Sequence, residues 1–200
     1  MSSAAELTAE AVVSALRERS DSERASHSLR FFKCGPGEYG EGDRFLGVKV
    51  PEQREVARRF RDLPLSECEK LLDNDLHEAR LTALIILTLK MSRAKREPSL
   101  LEQIVSLYLR KTSRVNNWDL VDTSAPKILG TYLEKRDRSL LDRLADSDSL
   151  WENRIAMLAT QHLIRRGETA EALHLAEKLF HHPHDLMHKA VGWMLREVGD

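Results

Sequence analysis

Within VNNWDLVDTSAP, residues 115–126, an indole and a carboxylate stand one helical turn apart, because Trp118 and Asp122 share a face at i and i+4. Such a pair could line a cleft, with Asn116 or Asn117 capping the helix start. The structural alternative is that Trp118 belongs to the core and that Asp119 and Asp122 merely favour the positive end of the helix. A second set falls near the C-terminal end, where Lys189, Trp193 and Arg196 follow at i, i+4 and i+7. Gly192, inside that stretch, costs roughly 1 kcal/mol relative to Ala in a helix and hints at a close approach by another group. Equally, Trp193 could pack on the preceding helices while its cationic neighbours reach water. Arg154 carries a fixed fork of donors that suits either a phosphate or the carboxylate of Asp122, and the sequence leaves both open.

Other chemistries find less support. Gly35-Pro36-Gly37-Glu38-Tyr39-Gly40 matches GxGxxG formally, but a helical pattern precedes it, no βαβ unit follows, and Glu38, Glu41 and Asp43 would repel a pyrophosphate. His181, His182, His184 and His188 cluster near the C-terminal end, with the last two at i, i+4. No carboxylate or Cys completes a metal-binding spacing there, and Pro183 interrupts the helix, so no metal is expected. Cys34 and Cys68, the two cysteines of the chain, form neither CxxC nor a zinc pattern and read as reduced structural thiols. No Ser-His-Asp order, nucleophile elbow or Walker A lysine is present.

The elements that must hold these residues are helical. Aromatics are 6% of the 200 residues, β-branched runs are scarce, and Leu, Ala, Glu, Lys and Arg recur at spacings of three and four. The periodicity predicts helices at 5–20, 22–33, 52–62, 65–73, 76–91, 98–111, 117–134, 138–145, 149–166, 169–181 and 185–198. Pro51, Pro64, Pro98, Pro126 and Pro183 fall at or near starts or breaks. Five of the nine glycines lie in 34–50, which is expected to be the one substantial loop. The 42% hydrophobic content is enough for a core, and 31 Lys+Arg against 32 Asp+Glu exclude a histone-like polycation. A neutral total still permits a local basic face. The start MSSAAELTAE lacks the basic and apolar regions of a signal peptide, so a single soluble, cytoplasmic domain with no membrane partner is expected.

Three segments share one pattern: Leu76-His77-Glu78-Ala79-Arg80-Leu81, Leu150-Trp151-Glu152-Asn153-Arg154-Ile155 and Leu186-Met187-His188-Lys189-Ala190-Val191. Each follows a turn containing Asp (Asp73 and Asp75, Asp146 and Asp148, Asp185), and these Asp residues are expected to cap. Their leading leucines stand 74 and 36 positions apart. A period of about 37 lies near the HEAT and armadillo range, with the skipped repeat starting near Ser113. The fold expected is therefore an all-α solenoid whose concave face carries the ligand site. Basic clusters recur with the repeats: Arg54, Arg58, Arg59 and Arg61; Arg93, Lys95 and Arg96; Arg110, Lys111 and Arg114; Arg165 and Arg166. Stacking would align them into a stripe suited to a phosphate backbone, with acidic residues on the outer helices.

The loop FKCGPGEYGEGDRFLGVKVPEQR, the run NNWDLVDTSAP, LWENRIAMLAT and HDLMHKAVGWMLREVG together closely resemble the AlkD-like DNA alkylation repair proteins, in the correct order along nearly the whole chain. The resemblance implies a HEAT-like-repeat glycosylase that acts as a monomer on duplex DNA, excising N3- and N7-alkylated purines such as 3-methyladenine and 7-methylguanine without cofactor or base flipping. It implies Asp122 as the catalytic carboxylate, Trp118 and Trp193 as cleft tryptophans, Arg154 as the residue holding the DNA backbone, and Phe31 or Phe32 as a further cleft aromatic. Lys189 joins them as a DNA-binding cation. Relatives continue past GWMLREVG, so the resemblance also implies a missing C-terminal cap beyond Asp200. The rivals are a non-catalytic binder of branched or distorted DNA and a protein-binding HEAT adaptor.

Overall fold

The computed structural model describes residues 6–94 and 96–200. It is all-α: among the described residues there is no strand, only an isolated bridge between Arg44 and Leu76. The chain packs as two compact units, Met1–Asn117 and Trp118–Asp200. Residue 5, the predicted start of the first helix, and Lys95 lie outside the described residues.

The first unit holds α1 (Ala9–Arg17), α2 (Ser22–Phe31), α3 (Val50–Arg59), α4 (Leu65–Leu72), α5 (His77–Ala94) and α6 (Pro98–Arg110). Helix α5 is its axis, and α1, α3, α4 and α6 pack on it. Its run Leu81–Leu87 is buried on every side, the pattern of an interior helix. Pro51 and Pro98 sit in first turns, where a missing amide hydrogen costs least.

Glu78 and Arg80, at the start of α5, are buried with it. Glu78 accepts from the backbone amides of Gly47 at 2.8 Å, Leu46 at 3.1 Å and Val48 at 3.3 Å, tying down the end of the long loop. Gly47 has φ +79°, and a Cβ there would lie 2.1 Å from the carbonyl oxygen of Asp21. Only glycine fits that crossing. In the same loop the amides of Gly35 and Gly37, which a phosphate would need, donate to Glu38 and Glu41, each at 2.8 Å.

The second unit holds α7 (Trp118–Ala125), a π-helical stretch (Pro126–Gly130), α8 (Thr131–Leu133), α9 (Ser139–Ala145), α10 (Leu150–Ile164), α11 (Ala170–Leu179) and α12 (Asp185–Gly199). Helix α10 occupies the centre, touching α7, α9, α11, α12 and the π-helical stretch. The span 117–134 thus changes winding at Pro126, which has no amide hydrogen to continue the α ladder. Gly130 makes the close crossing in this unit: a Cβ there would lie 2.4 Å from the Ala159 carbonyl oxygen.

The expected Asp caps are replaced by neighbours. Ser149 caps α10 by accepting from the Glu152 amide, and His184 caps α12 by accepting from that of Leu186. Asn74 accepts from the Leu76 amide ahead of α5. Helices α5 and α10 begin one residue later than the Asp-centred reading required and α12 one residue earlier, which hands the cap to the residue then in register.

Candidate functional site

Asp122 projects from α7 and Arg154 from α10, and the fold joins them. Arg154 Nε donates to Asp122 Oδ1 and Nη2 to Oδ2, both at 2.9 Å, a planar fork on a planar carboxylate. The third guanidinium nitrogen, Nη1, donates to the Leu186 carbonyl oxygen at 2.5 Å, so one side chain fixes α7, α10 and α12 together. Of the two partners left open by the sequence, the arginine takes the carboxylate. Arg154 is only 4% exposed, whereas the Asp122 side chain keeps 18% of its surface open. The accessible part of the pair is therefore acidic.

Burial pushes the Asp122 carboxyl above its ordinary pKa, and this outweighs the lowering by the Arg154 hydrogen bond and charge, while the nearby charge of Asp119 adds to the rise. A carboxylate held with raised proton affinity, in fixed orientation and with one edge in water, can stabilise a developing cation or take a proton from water.

Trp118 lies one turn before Asp122 on α7 and is half-buried rather than part of the core. Trp193 is half-buried too, and its indole Nε1 donates to Glu197 at 2.9 Å. Lys189 and Trp193 stand three and seven positions beyond Leu186, the α12 residue held by Arg154. Lys189 is exposed and pairs with Asp185 at 2.7 Å. Among the described residues the close approach hinted by Gly192 is absent: a Cβ there meets nothing within 4 Å, and the residue is exposed. Phe31 ends α2 in the first unit, 56% exposed and edge-on to Phe32 at 5.0 Å.

Many of the repeated cations are already engaged. Arg110 and Lys111 pair with Glu69, Lys111 also with Asp73, Arg93 with Asp62, and Arg166 with Glu134. Arg114 donates to the carbonyl oxygens of Leu72, Asp73 and Asn74. Arg54, Arg58 and Arg59 stand exposed on α3. Exposed ion pairs contribute little to stability, so such cations can exchange a carboxylate for a phosphate readily.

His184 and His188 do not form a chelating pair, since the His184 ring caps α12. Among the described residues no group of three or more His, Cys, Asp or Glu could hold a metal ion. Burial pushes the thiols of Cys34 and Cys68 up to about 11 and about 12, far from the range of a reactive thiolate.

A second carboxylate–guanidinium pair, not anticipated from the sequence, lies in the first unit. Arg80 Nη2 meets Asp43 Oδ1 at 2.6 Å, and His77 Nδ1 meets Asp43 Oδ2 at 2.8 Å. Burial pushes Asp43 up, but the His77 hydrogen bond and the Arg80 charge win and hold it below the ordinary value. The ring of His77 is in turn stacked by Phe45 at 4.7 Å and approached by Phe32 at 4.9 Å. Arg80 occupies the same place in its repeat as Arg154, which was the available signal. Its carboxylate lies within the glycine-rich loop, at a spacing no periodicity announces.

These features define an all-helical repeat protein in which a repeated arginine holds an interior carboxylate, once fully covered and once partly open. The sequence profile described as DNA alkylation repair enzyme matches residues 12–200, and the chain belongs to that family. No curated protein matches it.

Proposed function

We propose that the chain is a DNA glycosylase that releases N3- and N7-alkylated purines, such as 3-methyladenine and 7-methylguanine, from duplex DNA in base-excision repair. One observation carries this reading: Asp122 is oriented by the Arg154 fork yet keeps an open edge, one helical turn from the half-buried Trp118. Membership of the alkylation repair family supplies DNA as the substrate.

Alkylation at N3 or N7 makes the purine cationic and a good leaving group. The C1′–N bond breaks, its electron pair neutralises the base, and positive charge develops on the sugar. Asp122 stabilises that charge and orients a water whose oxygen bonds to C1′, its proton passing to the carboxylate or to solvent. One preorganised group of this kind is worth about 2.7–4 kcal/mol, or roughly 10²–10³ in rate. Trp118 and Trp193 offer π-faces to the cationic nucleotide, each worth about 0.5–2 kcal/mol where desolvated. Because Arg154 is buried against Asp122, its part here is to hold the carboxylate; contact with the DNA backbone falls to exposed cations such as Lys189, with Phe31 as a further aromatic contact.

Base flipping is not required, since lesion lability supplies much of the selectivity. The protein acts as a monomer, in the compartment that holds the DNA. The deciding experiment measures 7-methylguanine release from methylated duplex beside Asp122→Asn. The variant should bind the duplex and release no base. Release unchanged by the substitution removes Asp122 from the mechanism, and wild-type binding without release favours a non-catalytic DNA binder.

A further inference from the structure

His182 and His184, between α11 and α12, fell outside any metal site, yet they are bonded in series to the carboxylate. His182 Nδ1 accepts from the His184 amide at 3.0 Å, so that nitrogen carries no proton. The ring is therefore neutral with its hydrogen on Nε2, which donates to Asn153 Oδ1 at 3.2 Å. The orientation of Asn153 is fixed in turn, because its Nδ2 donates to the carbonyls of Leu144, Ala145 and Ser147 at 2.8–3.1 Å. His184 Nδ1 accepts from the Leu186 amide at 3.1 Å, and the carbonyl of that same residue receives Arg154 Nη1. Asn153 and Arg154 are neighbours on α10, so the turn before α12 and the first turn of α12 are held to α10 at two consecutive residues.

We propose that His182 and His184 are positioning residues that set the Asp122–Arg154 fork, through a chain running from Asn153 to His182, His184, Leu186 and Arg154. Their role rests on the glycosylase reading above, but it can be tested separately. Both rings act as acceptors, and protonation turns an acceptor into a donor facing an amide hydrogen. The start of α12 then loosens, the Leu186 carbonyl withdraws, and Arg154 is free to turn from Asp122. The fork is thus intact while the His182 ring is neutral and is released as pH falls and that ring takes up a proton.

The surroundings of His182 favour the neutral ring. Burial lowers its affinity for a proton, and a charge on a neighbouring histidine acts in the same direction. From α10 it faces the uncharged Asn153. On α11, α9 and the turn before α10, the charges answer one another, with Lys178 bonded to Asp146 at 2.7 Å and to Asp142 at 3.2 Å.

The test compares wild type with His182→Leu, His182→Asn and His184→Asn. Asn offers an oxygen near the position of the imidazole Nδ1 and does not titrate, so it can keep the acceptor without the switch. Single-turnover release of 7-methylguanine is measured across about pH 5–8, where histidine changes charge, together with the Kd for unmodified duplex. His182→Leu should slow release about tenfold with Kd changed less than about twofold, the mark of a group that positions rather than binds. The two Asn variants should restore the rate and remove the histidine limb from the pH profile. An Asn variant that retains the wild-type limb overturns the proposal, and so does a His182→Leu variant that is folded and fully active.

A readout independent of activity is the NMR signal of the Arg154 Nε–H, protected from exchange by Asp122. It should lose protection as wild type is acidified, and keep it to lower pH in the Asn variants. If wild type releases no base while this signal behaves as described, the glycosylase reading fails and the positioning chain stands. If base is released and the signal ignores both histidines, the chain fails alone.

Discussion

Replacing Arg154 by Met tests the central pair by removing a charge while keeping an unbranched side chain. Lost are two charge-assisted bonds to Asp122 and one to the Leu186 carbonyl. Removing one member of a buried ion pair typically costs about 3–5 kcal/mol, and because water reaches part of Asp122, a value near the lower end, about 3 kcal/mol, is expected at neutral pH. The pH dependence is more specific. In wild type, Arg154 opposes burial, and the carboxyl is nevertheless raised. In the variant, burial and Asp119 act unopposed, and the folded-state pKa rises further. A folded pKa above the unfolded one means that the ionised form penalises folding. That penalty is absent below the unfolded pKa and grows as pH rises through the folded one. The deficit of the variant should therefore shrink on acidification, by about 1.4 kcal/mol for every further tenfold gain in the proton affinity of the folded-state carboxylate.

The assay is urea unfolding at pH 7.5 and at pH 4.5, followed by tryptophan emission. All three tryptophans, Trp118, Trp151 and Trp193, belong to Trp118–Asp200, so emission reports that unit alone. The double variant Asp122→Leu/Arg154→Met, which leaves no charge uncompensated, should recover wild-type stability or exceed it while remaining inactive. A single-variant deficit below about 1 kcal/mol, or one equal at both pH values, refutes the assigned role of the pair.

Two glycines give opposite signs for the same substitution. Gly192→Ala, in open space on α12, should raise stability by about 1 kcal/mol in the same urea assay; a loss would mean that α12 is packed differently there. Gly130→Ala, whose Cβ would press on the Ala159 carbonyl oxygen, should lower it by about 1–3 kcal/mol, and a neutral result would contradict the close crossing with α10.

The helices were legible because 3.6-residue periodicity is a property of the chain itself: α4, α6 and α10 fall within about two residues of their predicted limits. What failed was local register. Asp148 looks like a cap from composition, but α10 starts at Leu150 and the hydroxyl of Ser149 meets the free amide. Asp122 and Trp118 were legible as a pair through their i, i+4 spacing, and Arg154 as a donor for one of two acceptors. Which acceptor it takes depends on the approach of α7 to α10, a tertiary fact absent from either segment. The histidine chain was hidden for a related reason. His182 and Asn153 lie 29 residues apart, and the amides accepted by His182 and His184 belong to the backbone, which carries no sequence signal.

The two arginine–carboxylate pairs carry a lesson about how a repeat array acquires chemistry. Arg80 and Arg154 are counterparts, and both grip an aspartate. Around Asp43 the grip is closed off by histidine and phenylalanine rings and works only as a fastener. Around Asp122 the same clasp has lost its lid. An array of this kind need not invent a reactive group, because every such copy already stores a preoriented anion. What separates tool from rivet is one uncovered edge, so the place to look for function in a duplicated fold is the copy whose wrapping is incomplete.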